Sequence, residues 1–144
     1  MLFKKKLLSS DEEARLIKAI HDAEKKTSGE IRVHIEETCT GDTLEACKKM
    51  FTDLKMDQTK DRNGILFFLA VESRGFAVWG DEGIHKKVTD EFWHHLTDCA
   101  IGYFKKGDLI SGLEKSVEMC GEKLQLYFPL EHDDKDELSN EISY

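Results

Sequence analysis

The sequence predicts an α/β protein, a three-layer α/β/α sandwich around a small mixed sheet of about four strands. Residues 31–35 alternate between apolar and polar side chains, as in a strand with one buried face. Residues 65–71 form an unbroken apolar run, which is typical of a central strand covered on both faces. Segments with apolar residues at helical spacing stand before, between and after these runs, so helices are expected on both sides of the sheet.

The first helix is predicted to begin at Ser10, because Ser10 and Glu13 fit a capping box. Gly29 suits the left-handed position that ends a helix, and the alternating strand follows it directly. Asp42 or Thr43 is expected to cap a second helix. The apolar residues at helical spacing in these two helices are Leu16, Ile17, Ile20 and Ala23, then Leu44, Cys47, Phe51 and Leu54.

The order strand, helix, strand predicts that the first two strands are parallel and joined by a right-handed crossover. A four-residue turn at residues 72–75 then predicts a hairpin, with an antiparallel third strand at residues 76–79. Thr89 is expected to begin a further helix, and Asp108 caps the last one after the break at Gly107. A fourth strand near residues 3–8 is left unassigned.

The chain of 144 residues fits one domain, with an arm at residues 1–9, a folded part at 10–129 and an acidic tail at 130–144. We expect the tail to be disordered, and the alternative is that it docks through Ile142 and Tyr144. A net charge of −8 without a basic stripe argues against nucleic acid as a partner. No apolar run reaches the roughly 20 residues that a membrane-spanning helix needs.

The first residues lack the pattern of a signal peptide, so a cytoplasmic location is expected. The four cysteines agree with this expectation, because none of them shows C-x-x-C spacing. Reduced, buried thiols are therefore predicted rather than a zinc site or a redox motif. The cysteines are Cys39, Cys47, Cys99 and Cys120.

Two acidic loops, at residues 57–64 and 80–83, flank the predicted hairpin. In the predicted topology the first two strands begin, and the third ends, at the same end of the sheet, so these loops meet there. Crowded carboxylates repel one another, and a hard cation with oxygen ligands relieves that repulsion. With no cysteine and only His85 nearby, calcium, or else magnesium, is favoured over zinc. The candidate ligands are Glu30, Asp57, Asp61, Asn63, Asp81, Glu82 and Asp90.

The alternative is that these acidic residues only cap helices and turns. Asp61 and Asn63 precede a glycine and suit a turn, whereas Asp90 suits the first turn of a helix. No glycine-rich phosphate loop, no Gly-x-Ser-x-Gly motif and no nucleophile with its partners is present. The sequence therefore predicts no catalytic residue.

Four segments carry a resemblance to a known family. They are Arg62-Asn63-Gly64-Ile65-Leu66, Gly80-x-x-Gly83, Val88-Thr89-Asp90 and Phe104-Lys-Lys-Gly107-Asp108-x-x-x-Gly112-Leu113. Together they resemble the TPM domain family over roughly residues 8–128. The resemblance implies an α/β/α sandwich of modified Rossmann type, with a rim cleft that binds divalent cations in some members. It also implies a possible acid phosphatase activity, which is attributed to the plant thylakoid member.

Only some of the candidate ligands match the pattern of the family. Asn63 and Asp90 match the family pattern, as do the flanking glycines, whereas the family has an aspartate where Arg62 stands. The nearest acid is Asp61, one position earlier. Many relatives have a hydrophobic or low-complexity segment after the domain, so this chain resembles a stand-alone version.

The favoured function is a non-enzymatic, cation-responsive module that regulates or binds an unknown protein partner. One or two calcium or magnesium ions would join the two acidic loops and order them. A metal-assisted phosphatase is the alternative, with Arg62 placed to hold phosphoryl oxygens. A third interpretation is a scaffold that binds proteins through its acidic tail without any metal.

Overall fold

The computed structural model describes residues 7–130 and 142–144. Residues 131–141, which make up most of the predicted tail, lie outside this description. A 3₁₀ turn, Met56–Gln58, precedes the second strand. In chain order the helices and strands are α1 Ser10–Glu24, β1 Glu30–Glu36, α2 Thr43–Asp53, β2 Gly64–Ala70, β3 Gly75–Gly80, α3 Glu82–His85, α4 Asp90–Lys105 and α5 Leu109–Tyr127.

The sheet has the order β1-β2-β3. β1 is parallel to β2, with Glu30 opposite Gly64, and β3 is antiparallel to β2, with Gly80 opposite Ile65. The parallel pair and the hairpin are therefore confirmed. Within the described residues the sheet has three strands, and the segment near residues 3–8 adds none where it is described. This register brings the two predicted acidic loops to the same end of the sheet.

Two apolar clusters lie between the three layers, one on each face of the sheet. The larger one joins α1, α4 and α5 to one face of the sheet and includes Leu16, Leu96, Leu113 and Phe67. The smaller one joins α2 to the opposite face, where Cys47 meets a layer that includes Phe68. Every residue of β2 is buried, as its unbroken apolar run predicts. The three-layer α/β/α sandwich is confirmed.

Two predicted features of the chain before β1 are wrong. The capping box uses Ser9 and Glu12, whose reciprocal hydrogen bonds are 2.9 and 3.1 Å, so it lies one residue earlier than predicted. Gly29 does not end a helix in the left-handed region, because among the described glycines only Gly41 and Gly107 have positive φ. Gly29 instead lies against α5, where a Cβ would be 2.6 Å from Leu124 Cδ2. Close packing, and not backbone conformation, explains a glycine there.

The other predicted caps are confirmed. Asp42 caps α2, and Thr89 caps α4 through the Phe92 N–H. Asp108 caps α5 by accepting from the Ser111 N–H at 3.1 Å. The hydrogen bonds with Ser111 lower the pKa of the Asp108 carboxyl. None of the helices in the described part of the chain is long and apolar enough to cross a membrane.

The four cysteines are free thiols in two distinct environments. Cys47 and Cys120 are buried, and this burial raises the pKa of Cys47 to about 12 and also raises that of Cys120. Cys39 and Cys99 are half-buried. Because the thiolate is the reactive form, we expect a disulfide-exchange reagent to modify Cys39 and Cys99 first in the native protein. Mass spectrometry of the labelled peptides measures this, with the denatured chain as the control in which all four react. Equal rates for the four native thiols would contradict the expectation.

Candidate functional site

The end of the hairpin borders an open cleft of about 380 Å³, here called the acidic cleft. The C-terminal part of α2, the 3₁₀ turn, the end of β3 and the short helix α3 surround it. Three carboxylates face two cationic side chains and an aromatic wall in this space. The residues are Asp57, Asp81 and Glu82, then Arg62 and Lys86, then Trp79 and His85.

The centre of the acidic cleft is a bidentate ion pair. Arg62 donates from Nε to Asp81 Oδ2 at 2.7 Å and from Nη2 to Asp81 Oδ1 at 2.9 Å. Its Nη1 lies 3.6 Å from Glu82 Oε1. The hydrogen bonds to Asp81, followed by the Asp81 charge, raise the pKa of the Arg62 guanidinium. The repulsion between acids from which the sequence predicts a metal ion is therefore relieved by a guanidinium in this conformation.

The two partners of this pair differ in exposure. The side chain of Asp81 is 5% exposed, whereas that of Arg62 is 42% exposed. Asp81 also caps α3, because its Oδ1 accepts from the Glu82 N–H at 2.8 Å. The carboxylate is thus fixed by the main chain, while the guanidinium reaches it from the solvent side.

The two loops are also joined by their main chains. The Gly83 N–H donates to Arg62 O at 2.8 Å, and the Asp81 N–H donates to Gly64 O at 2.9 Å. Arg62 itself adopts a left-handed conformation with φ of 51°. A Cβ at Gly83 would lie 2.1 Å from Asp61 O, so the chains pass each other too closely for a side chain there. The glycine in this position is a requirement of the loop contact.

Asp61 and Asn63 belong to a second polar group, which is centred on Ser28. Asn63 Nδ2 donates to Ser28 Oγ at 3.1 Å, and Ser28 Oγ donates to Asp61 Oδ2 at 3.4 Å. Asn63 is 1% exposed, and its N–H donates to Thr59 Oγ1 at 3.3 Å. These contacts tie the loop before β2 to the segment before β1. Ser28 lies 33 and 35 positions from Asp61 and Asn63 in the chain, so no local sequence pattern predicts this contact.

The remaining predicted ligands lie apart from the acidic cleft. Glu30 is 2% exposed at the start of β1, where its N–H donates to Asn63 O at 3.5 Å. Asp90 is exposed at the start of α4 and lines a neighbouring groove along β3, beside Trp93. Of the seven predicted ligands, Asp57, Asp81 and Glu82 line one cleft. Among residues 7–130 and 142–144, no group of three or more His, Cys, Asp or Glu side chains is arranged to hold a metal ion. The ligands are not preassembled.

An aromatic row beside the cleft was not predicted. The ring of His85 lies between Trp79, at 6.1 Å, and Trp93, at 6.5 Å between centroids. Lys48 Nζ lies 4.6 Å from the centroid of Trp79 on α2's side of the sheet. In the sequence the only signal of this aromatic row is Trp79, which immediately precedes Gly80. Gly80 lies next to Trp93 in space.

Comparison with known proteins identifies a family and two solved structures that resemble this chain. Residues 3–123 match the model of the TPM domain family. The NMR structure of the BA42 protein from the psychrophilic bacterium Bizionia argentinensis is 43% identical, with a TM-score of 0.90 and 99% of each chain covered. The N-terminal domain of the cg2496 protein from Corynebacterium glutamicum is 18% identical, with a TM-score of 0.66, and covers 90% of this chain and 84% of that one, which is a similarity of fold alone. None of the curated proteins compared with the chain matches it. The chain belongs to the TPM domain family.

Proposed function

We propose that this TPM domain is a cation-responsive interaction module whose acidic cleft binds calcium, or else magnesium, in exchange for the Arg62 guanidinium. The observation that carries the proposal is the unequal exposure of the Arg62–Asp81 pair. A cation already lies among the carboxylates, and it belongs to a side chain that reaches them from solvent. Its departure leaves Asp81 in place, because α3 holds that carboxylate by a main-chain hydrogen bond.

The donor set suits calcium once the guanidinium has left. Asp57, Asp81 and Glu82 supply carboxylate oxygens from one cleft. Calcium takes about 6–8 oxygen ligands in irregular geometry, so water completes such a sphere easily. Magnesium demands a stricter octahedron and gives up water reluctantly, and it is therefore the second choice. The ion would be held by electrostatic attraction to these carboxylates. None of the described residues that line the cleft forms an assembled nucleophile for it to orient.

The exchange provides a physical link between the ion and a protein partner. Arg62 ties the loop before β2 to α3 through Asp81 and Glu82. When an ion takes these carboxylates, the guanidinium becomes available at the surface beside Trp79 and His85. A ligand shifts an equilibrium by its different affinities for two states, and here the states differ in the position of Arg62. The partner is then a protein surface that recognises an exposed arginine next to aromatic rings.

Replacing Arg62 with glutamine is expected to raise the calcium affinity severalfold, because it removes the cationic side chain that competes with the ion for the Asp81 carboxylate. Amide NMR of the labelled full chain, titrated with calcium and then magnesium chloride, measures the affinity. We expect the shifts to concentrate at residues 57–64 and 80–86. Asp81→Asn should abolish the response, because it removes the carboxylate that the pair and the ion share.

Arg74→Gln is the matched control for this titration. Arg74 is exposed in the turn between β2 and β3, away from the cleft, and has φ of 57° against 51° for Arg62. Both substitutions remove one positive charge from a left-handed turn, so any difference reports the local exchange. A flat response of the unmodified chain to both ions would refute cation binding. An affinity that is unchanged or lower in Arg62→Gln would refute the exchange alone.

Metal-assisted hydrolysis of phosphomonoesters is the second candidate, favoured by Arg62 and Lys86 on the same cleft. Two cations can hold phosphoryl oxygens while an ion activates water. The two functions are distinguished by the effect of Arg62→Gln on turnover, which only the phosphatase has. A phosphatase would lose its turnover of p-nitrophenyl phosphate, whereas the module gains affinity for the ion.

A further inference from the structure

The outer edge of β1, on the side away from β2, carries a short parallel strand addition from the C-terminal residues of the same chain. The Ser143 N–H donates to Val33 O at 3.0 Å, and the Ile35 N–H donates to Ser143 O at 2.9 Å. Ser143 pairs with His34 as a parallel bridge. These are the main-chain contacts that a peptide makes when it extends a sheet.

The three described tail residues alternate between the two faces, as a strand does. Ser143 Oγ lies 2.8 Å from His34 Nδ1, and the same ring contacts Glu36 through Nε2 at 2.8 Å. Ile142 packs against the larger apolar cluster on the opposite face. The hydroxyl of Tyr144 donates to a carboxylate oxygen of Glu13 on α1. Each side chain of the segment therefore has its own partner, in addition to the main-chain hydrogen bonds.

We propose that the outer edge of β1 is a sequence-specific site for an extended apolar–serine–tyrosine segment, and that its occupant is the chain's own Ile142–Tyr144. The main-chain hydrogen bonds supply affinity. His34 and Glu13 supply specificity, because they form hydrogen bonds with the serine and the tyrosine hydroxyls. An uncovered edge strand is a template for pairing with other chains. The resident segment blocks that pairing in cis, and its displacement opens a binding edge. This site is separate from the acidic cleft, and its test does not depend on the ion.

Ser143→Pro in the full chain is expected to empty the edge, because proline lacks the N–H that donates to Val33 O. Ser143→Ala keeps that N–H and loses only the contacts of the hydroxyl, to His34 Nδ1 and to Val33 O, so it is the matched control. Hydrogen exchange of the Ile35 amide reports whether the edge is covered. We expect protection in the unmodified chain, partial protection in Ser143→Ala, and exchange at least tenfold faster in Ser143→Pro.

A fluorescent peptide with the sequence of residues 137–144 then probes recognition in trans. A tethered segment has an effective concentration of about 1 mM, so it competes strongly with an added peptide. For an intrinsic dissociation constant of about 0.1 mM, the peptide binds Ser143→Pro about tenfold more tightly than the unmodified chain. The same peptide with proline in place of the serine should not bind either protein.

Three outcomes would overturn the proposal. Equal exchange of the Ile35 amide in the unmodified and Ser143→Pro chains means that the segment does not cover the edge. An exposed Ile35 amide in Ser143→Pro without peptide binding means that the edge is not a recognition site. A dimer of the unmodified chain that Ser143→Pro abolishes means that the occupant comes from a second copy and not from the same chain.

Discussion

Replacing Gly83 with alanine is expected to destabilise the protein by about 3 kcal/mol and to disrupt the acidic cleft. The added Cβ would lie 2.1 Å from Asp61 O and 2.6 Å from Arg62 O, and both atoms belong to the main chain. Neither can rotate away, so the loop before β2 must move as a unit. That movement lengthens the hydrogen bond from the Gly83 N–H to Arg62 O and misaligns the guanidinium with Asp81. Urea denaturation measures the stability, and the calcium titration measures the cleft.

Gly102→Ala is the matched control for this substitution. Gly102 lies exposed within α4, and a Cβ there meets nothing within 4 Å. The same chemical change should therefore stabilise the protein by up to about 1 kcal/mol, because alanine favours a helix over glycine. If the two variants had the same stability, the contact between the loops would not be as close as the structure has it.

The layers and the strand pairing were predictable because each rests on a pattern within one segment. The apolar run of β2 required cover on two faces, and the turn at residues 72–75 fixed its antiparallel partner. The capping box was misplaced by one residue because Ser9 and Ser10 are equally good caps by sequence. The role of Gly29 was missed because it depends on Leu124, nearly a hundred residues further along the chain.

The candidate site was predictable only in its location. The topology correctly brought the two acidic loops to one end of the sheet, but it could not indicate which side chains share a cleft. The loops contain α3 and a 3₁₀ turn, and these divide the polar residues into the Asp81 group and the Ser28 group. A pairing between Arg62 and Asp81 depends on the left-handed turn at Arg62, for which an arginine gives no signal.

Replacing Phe67 with alanine is expected to cost about 3–5 kcal/mol, the largest loss among the substitutions considered. Phe67 is fully buried at the middle of β2, and its ring stacks on that of Phe76 with 6.2 Å between centroids. Phe76 in turn meets Phe104 edge to face at 5.1 Å, so the cavity would lie where β2, β3 and α4 join. Because small domains are stable by only about 5–15 kcal/mol, this variant should be close to unfolding at ambient temperature. Denaturation by urea, followed by circular dichroism, measures the loss.

Phe68→Ala tests the same chemistry on the opposite face of β2. Phe68 belongs to the smaller cluster under α2, is 4% exposed and lies 5.3 Å from the ring of His34. Its loss should be smaller, because a thinner layer collapses more easily around a cavity. Leu126→Ala, at a side chain that is 64% exposed, should change the stability by no more than about 0.5 kcal/mol. A loss at Phe68 that exceeds the loss at Phe67 would reverse the assignment of the main core to α1, α4 and α5. The expected order leaves α2 and the smaller cluster as the more weakly held layer of the fold.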